Sequence, residues 1–295
     1  MKYYIFLVLA TLFWSGNFIF GRLVSNSIEP IELNFYRWFF VLVIILPYFF
    51  INYKRIIKAM KDSFLLLLFL SALGIAGFNT FLYYGLQTTT ATNALLVNSS
   101  TPIIIIVLST IILKTKISFI QVIGVILSTL GVLFLILKGE INSLSSLVFS
   151  SGDLWIILAC ITWALYSIFL KFKSQDIKAF DFLFITTFMG TVILSLLFFF
   201  EGYSFSLNFV SNEEVLYSLV YMVIFPSILA FYYWNISTVE LGANKAGQFT
   251  HLMPIFGAVL AYIFLGEKLE TYHLYGIVFI VLGIYLSMFY KRGKV

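Results

Sequence analysis

The chain contains one segment twice, and that duplication constrains the fold more than any other feature. Ala91–Pro102 recurs as Ala243–Pro254, with Ala91/Ala243, Ala94/Ala246 and Pro102/Pro254 each 152 residues apart. The same register continues through Leu113/Leu265, Lys116/Lys268, Gly124/Gly276 and Gly131/Gly283. Upstream the offset is 149, in Ala10/Ala159, Trp14/Trp163, Phe20/Phe169, Glu32/Asp181 and Phe35/Phe184. A fixed-offset echo of this length marks an internal duplication. The step from 149 to 152 implies a three-residue insertion in the later copy, which we assign to Asn208–Glu214.

The surroundings of the two copies follow from composition. Of 295 residues, 61% are hydrophobic and 11% charged, with a mean hydropathy of +1.03. A soluble chain of this size has no way to hide that much apolar surface, so its solvent is the lipid bilayer. Ten apolar runs near the length of a bilayer crossing recur along it: 3–24, 33–52, 64–86, 91–113, 118–138, 152–172, 180–200, 214–237, 242–265 and 270–290. The expected fold is therefore an all-α integral membrane protein of ten transmembrane helices. Residues 1–140 and 150–291 each form one five-helix repeat. Five is odd, so the second repeat enters the membrane from the opposite face, and the halves form an inverted pair.

The first run resembles a signal peptide, but Trp14, Gly16 and Asn17 occupy the place of a small-residue cleavage site, so it is expected to persist as a helix. Cys160 is the single cysteine, which excludes internal disulfides and thiolate metal sites. Alternating the loops between two sides puts 14 Lys and Arg on the side of the termini and three on the other. That bias predicts cytoplasmic termini; the basic excess is an orientation signal and not a nucleic-acid footprint.

A charge within a membrane is costly and so points to function. All acidic residues lie in loops or near span ends, which leaves no carboxylate pair for hydrolysis and no Asp/Glu/His cluster for a metal. No cofactor is expected. Arg37, a few residues into the second span, is expected to pair with Glu29 or Glu32, to snorkel, or to face the pathway and bind a carboxylate. Lys245 is expected to snorkel. His251 lies about nine residues into its span, ~13 Å deep and near the midplane. Its repeat mate is Ser99, beside Asn98. It either hydrogen-bonds a neighbouring helix or serves the pathway. Gln248 lies one turn before it.

Trp14 and Trp163 are repeat mates too deep for an interfacial belt, with Asn17 and Tyr166 three residues on and on nearly the same face. Asn79 and Tyr83 in the third span, and Tyr232 and Asn235 in the eighth, add hydrogen-bonding groups. Together these residues predict a cavity for an uncharged or zwitterionic organic solute. Gly74 and Pro226 are mates near the middle of the third and eighth spans, and paired interruptions of this kind point to a transport site. Gly124/Gly131 and Gly276/Gly283 are each seven apart, so each pair gives one face for tight packing, and these last spans are expected to be outer supports.

At this point the chain resembles the EamA-type permeases of the drug/metabolite transporter superfamily. The likeness rests on ten spans in two repeats, on Trp14-Ser-Gly-Asn17-Phe18, on the duplicated stretch, and on Leu265-Gly-Glu267-Lys268. The first repeat departs from the pattern with Leu113-Lys-Thr115 where Leu-Gly-Glu is usual. The resemblance implies a secondary carrier in the inner membrane, with a cavity lined by the first, third and fourth spans of each repeat. Many such permeases export amino acids, and that is the expected function here. The small multidrug-resistance relatives use a carboxylate in the first span, where this chain offers Trp14, Ser15 and Asn17. The alternatives are import of a nucleoside or other heterocycle, and a membrane enzyme acting on lipid. Coupling to protons, if present, falls to His251.

The charge bias yields the first testable outcome. In a Cys160→Ser background, Ser211→Cys should label in intact cells with an impermeant thiol reagent and Lys58→Cys should not. Equal labelling contradicts the inverted arrangement.

Overall fold

The computed structural model describes residues 1–139, 150–265 and 270–289. The Gly266–Lys268 stretch of the family-like motif and the basic tail from Lys291 lie outside them. The described residues are all helix, turn and loop; nine of their helices are long and apolar enough to cross a bilayer, and the expected ninth span is a tenth helical rod made of three shorter pieces. We name these α1 (Lys2–Leu23), α2 (Pro30–Asp62), α3 (Phe64–Thr88), α4 (Ala91–Asn98 and Thr101–Leu113) and α5 (Phe119–Ile136). The second half comprises α6 (Ser151–Phe172), α7 (Ala179–Phe200), α8 (Glu213–Leu241), α9 (Ala243–Gln248, Phe249–Leu252 and Met253–Leu265) and α10 (Thr271–Phe289).

Polar residues at the membrane surface fix where these helices begin. Ser118 and Gln121 form a reciprocal capping box at the start of α5, and Ser150 with Asp153 forms another at α6. Thr90 caps α4 through the Asn93 amide, and Asn212 caps α8 through the amides of Glu214 and Val215. Pro30 occupies the first turn of α2, where its missing N–H costs nothing. Between α8 and α9 the chain turns at Gly242, whose φ of 84° suits glycine and few other residues.

α2 differs from the sequence expectation. It has 33 residues, about 50 Å at 1.5 Å per residue, so it outruns the hydrocarbon core. Lys54, Arg55, Lys58 and Lys61, expected in a loop, are its last turns. There Arg55 clamps the buried Asp181 of α7 through Nε (2.6 Å) and Nη2 (2.8 Å), and the Tyr48 hydroxyl adds a third bond at 2.7 Å. The Asn208–Glu214 insertion is likewise not all loop: Asn208–Ser211 is a 3-10 turn and α8 starts at Glu213.

The contacts between halves reciprocate, as two-fold symmetry requires. α1 packs against α8 and α9, while its mate α6 packs against α3 and α4. Mated helices also contact each other directly, α2 with α7 and α5 with α10 among them. The four glycines of the fifth spans meet at this second contact. A Cβ on Gly124 would lie 2.5 Å from the Ser287 amide nitrogen and 2.6 Å from the Gly283 carbonyl oxygen. One on Gly131 would lie 2.8 Å from the Gly276 carbonyl oxygen. The obstacles are backbone atoms, which have no rotamer to retreat into.

The duplicated interruptions are structural in both halves. Ala72–Gly77 in α3 and Val223–Leu229 in α8 are π-helical, and they hold Gly74 and Pro226 respectively. The fourth spans also break at matched places. α4 breaks at Ser99–Ser100, and α9 runs as a 3-10 turn over Phe249–Leu252, which contains the mates of both residues. All four irregularities lie inside helices that cross the bilayer, and they surround the core of the bundle.

Gly124→Val should lower thermal stability by about 2–3 kcal/mol, because overpacking here must push the two backbones away from each other. A matched Leu130→Val change on the exposed face of α5 should leave the melting temperature nearly unchanged.

Candidate functional site

The centre of the bundle is an aromatic cluster built from both repeats. Trp14 and Trp163 meet edge to face with centroids 4.9 Å apart, and Trp234 lies 5.2 and 5.4 Å from them. Phe231 packs edge-on against both, and Phe78 lies 4.8 Å from Trp163. The deep mated tryptophans thus meet across the interface between the two repeats. Trp14 also donates its indole N–H to the Pro226 carbonyl at 3.0 Å, an oxygen in the π-helical stretch of α8.

Trp14, Asn17, Asn98 and Trp163, all anticipated from sequence, border one small cavity together with Phe18, Phe78, Thr250 and Met253. Its volume is about 10 Å³, at the lower limit for a single water molecule. The centre is therefore closely packed. Asn98 points its amide nitrogen at the Met253 sulfur (3.5 Å), and Ser15 reaches the Met253 carbonyl at 3.0 Å.

A polar layer adjoins this cavity through Asn17. Arg37 is fully buried and makes no ion pair; the only one among the described residues is Arg55–Asp181. It contacts neither Glu29 nor Glu32, and it does not snorkel. Its Nε donates to the Ser227 hydroxyl at 2.6 Å. Its Nη1 donates to Asn17 Oδ1 (3.1 Å), Asn79 Oδ1 (2.9 Å) and the Tyr83 hydroxyl (2.6 Å). Tyr83 passes its own proton to Asn17 Oδ1 at 3.1 Å. The sequence names Asn17, Asn79 and Tyr83 and leaves Arg37 open between pairing, snorkelling and the pathway; Arg37 sits deeper than expected because α2 begins at Pro30 and not at residue 33. The usable signal was that proline, which marks a helix start and sets Arg37 two turns inside.

The second half carries a counterpart to some of this network with the residue types exchanged. Tyr166 stands at the position of Asn17, and Asn235 at that of Tyr83. The Tyr166 hydroxyl donates to Asn235 Oδ1 at 2.7 Å. Each half thus joins its first and third spans through one tyrosine–asparagine bond, running in opposite senses. The mate of Arg37 is Thr186, whose hydroxyl bonds back to its own helix at Phe182 and Leu183.

His251 is fully buried with both ring nitrogens engaged. A carbonyl only accepts, so Nε2 carries the hydrogen given to the Ser99 carbonyl oxygen at 2.8 Å. Nδ1 lies 2.7 Å from the Ser128 hydroxyl of α5. In the neutral ring that hydroxyl donates to Nδ1; in the charged ring it would accept from Nδ1 and give its proton to the Val125 carbonyl, 3.0 Å away. The cage fits either protonation state. Ser99 enters it through its backbone, while its side chain caps the Leu96 carbonyl.

Gln248 is fully buried, and neither end of its amide has a hydrogen-bond partner. Tyr232 lies apart from the aromatic cluster, half-buried with Phe180 and Tyr233. No group of three or more His, Cys, Asp or Glu side chains among the described residues converges as metal ligands would.

An all-helical inverted repeat with interrupted spans around a buried polar core has the build of a multi-pass membrane transporter. The chain matches the EamA-like transporter family over residues 1–137 and 150–289, and it belongs to that family. It is 27% identical to a transporter of Archaeoglobus fulgidus, with 97% of each chain covered. It is 29% identical to the transporter YetK of Bacillus subtilis, over 99% of this chain and 88% of the relative. A solved crystal structure superposes with a TM-score of 0.72 at 15% identity, over 96% of this chain and 95% of the other, a likeness of fold. The protein is a secondary transporter of a small molecule.

Trp14→Phe keeps the ring packing and deletes the bond to the Pro226 carbonyl. It should cost about 1 kcal/mol of stability yet change the transport rate several-fold, because the lost bond joins α1 to the hinge of α8. A rate equal to wild type, measured per folded molecule, contradicts a site at this cluster.

Proposed function

We propose that the protein exports an amino acid, or a close zwitterionic relative, by alternating access around the Trp14–Trp163 core. The observation that carries this reading is the small cavity bordered by those tryptophans with Asn17 and Asn98, which touches the α9 interruption at Thr250 and is linked to that of α8 by the Trp14 bond to the Pro226 carbonyl. Flat aromatic faces attract an ammonium group, and amide side chains satisfy its hydrogen bonds without adding a buried charge. The π-helical stretches in α3 and α8 let each third span bend without stranding backbone groups. The charge bias of the loops supports cytoplasmic termini, and the family resemblance supports the inner (cytoplasmic) membrane as its place.

Within this reading His251 is the proton site. Among the described residues no carboxylate approaches the core, and the imidazole cage of Ser99, Ser128 and Val125 accommodates a gained proton by turning one hydroxyl. Because the cage ties α9 to α4 and α5, a change of its bonding bears directly on the matched breaks of the fourth spans.

Reconstituted vesicles test the export and the proton role together. Vesicles loaded with radiolabelled amino acids should release at least one of them in exchange for the unlabelled form. An imposed pH gradient should speed that release. His251→Gln keeps hydrogen-bonding capacity and removes the titration, so exchange should persist while the response to the gradient disappears. Wild-type pH dependence in the variant refutes the proton role. Exchange of nucleosides in place of amino acids favours the import alternative, and turnover of vesicle lipid favours the enzyme.

A further inference from the structure

Arg37 is the most costly residue in the core, and nothing in the described structure offsets its charge. Arginine cannot shed its proton, so burial leaves a full positive charge at this depth. All of its partners are neutral, and each is oriented by a second bond. The Ser227 hydroxyl gives its proton to the Met222 carbonyl at 2.6 Å, so it can only accept from Nε. The Asn79 amide nitrogen reaches the Gly74 and Ile75 carbonyls at 3.2 and 3.3 Å, which turns its oxygen to Nη1. Tyr83, bonded to Asn17, likewise accepts. The remaining nitrogen, Nη2, is buried with no hydrogen-bond partner. The Trp38 ring lies 5.3 Å from the guanidinium carbon, a modest attraction.

A cradle of fixed neutral acceptors holds the guanidinium in place and leaves one of its N–H pairs free. We propose that Nη2 of Arg37 is the docking point for the carboxylate of the transported solute, reached from the cavity past Asn17. This rests on the transport reading above and names the class of solute it takes. A single carboxylate pairs one-to-one with this guanidinium, whereas a phosphate dianion would bring a second negative charge with no cation opposite it. For an amino acid the two charges then separate onto two surfaces: the carboxylate onto Arg37, the ammonium onto the tryptophan faces. The site exists in the first half alone, since its mate Thr186 is bonded back to its own helix. Ser227 lies within the π-helical stretch of α8, so bending of that hinge moves one wall of the cradle.

The test is melting of the purified full-length protein with L-tryptophan, L-leucine, benzoate, the two amino-acid carboxamides, chloride and inorganic phosphate. At least one of the carboxylates should raise the melting temperature, while its carboxamide at tenfold higher concentration should not. Arg37→Gln should abolish the rise. Arg37→Lys keeps the charge but cannot fill the cradle and present a free N–H pair at once, so it should weaken the response about tenfold. Equal stabilisation by acid and carboxamide, an undiminished response in Arg37→Gln, no response to any carboxylate, or chloride or phosphate matching the carboxylates would each overturn the proposal. Should Arg37→Gln fail to fold, the comparison of acid with carboxamide on the wild-type protein decides alone. Vesicle flux separates this inference from the transport reading. Acid-selective binding without flux of any probe refutes export and leaves the site standing. Flux of carboxamides at the rate of the acids removes the site and leaves transport.

Discussion

A carbonyl oxygen without a partner inside a bilayer costs several kcal/mol, and this protein breaks four of its helices there. The rest of the structure depends on how those oxygens are met. The Pro226 carbonyl takes the indole N–H of Trp14, and the Ile75 and Ala76 carbonyls are approached by the Asn34 amide. Asn79 covers Gly74, Ser227 covers Met222, His251 covers Ser99, and Ser15 reaches Met253. Many of the polar side chains at depth hold up interrupted backbone, often on another helix. The arrangement explains why a chain that is 61% hydrophobic keeps so many Asn, Ser and Thr in its core.

This double duty makes the side chains of the site hard to sort by type. Trp14 borders the cavity and tethers a hinge. Asn17 borders the same cavity and accepts from both Arg37 and Tyr83. His251 staples the break of α4 to α5 and also presents the one imidazole in the core. A group that supports backbone and also meets solute transmits movement from one to the other, because either bond can be exchanged for another.

The architecture was legible in the sequence to a large extent, since a repeat offset and hydropathy act over whole helices. The offset led to Gly74 and Pro226, and both lie in π-helical segments. The glycine pairs of the fifth spans were anticipated as packing faces, and they meet each other across the symmetry axis. The site was less legible because it depends on atoms a few ångströms apart. Arg37 looked like an interfacial residue when its helix was begun three residues late. Ser128, on a span assigned no chemistry, holds His251. Tyr232, three residues before Asn235, packs with Phe180 and Tyr233 apart from the aromatic cluster, a placement set by neighbouring helices that a linear reading does not resolve.

The exchange of Asn17 and Tyr83 for Tyr166 and Asn235 bears on energetics. In an inverted repeat, the form open to one side is obtained from the other by letting the halves trade conformations. The self-mated contacts, α2 with α7 and α5 with α10, map onto themselves under that trade. The glycine seam therefore need not loosen, and its close backbone approach is compatible with motion elsewhere. Were the halves identical, the two end states would be degenerate in a symmetric bilayer. Every bias between them must come from positions where the copies differ, and the Arg37/Thr186 pair is the largest electrostatic difference in the core. Each 1.4 kcal/mol of such a difference is a tenfold preference for one resting orientation.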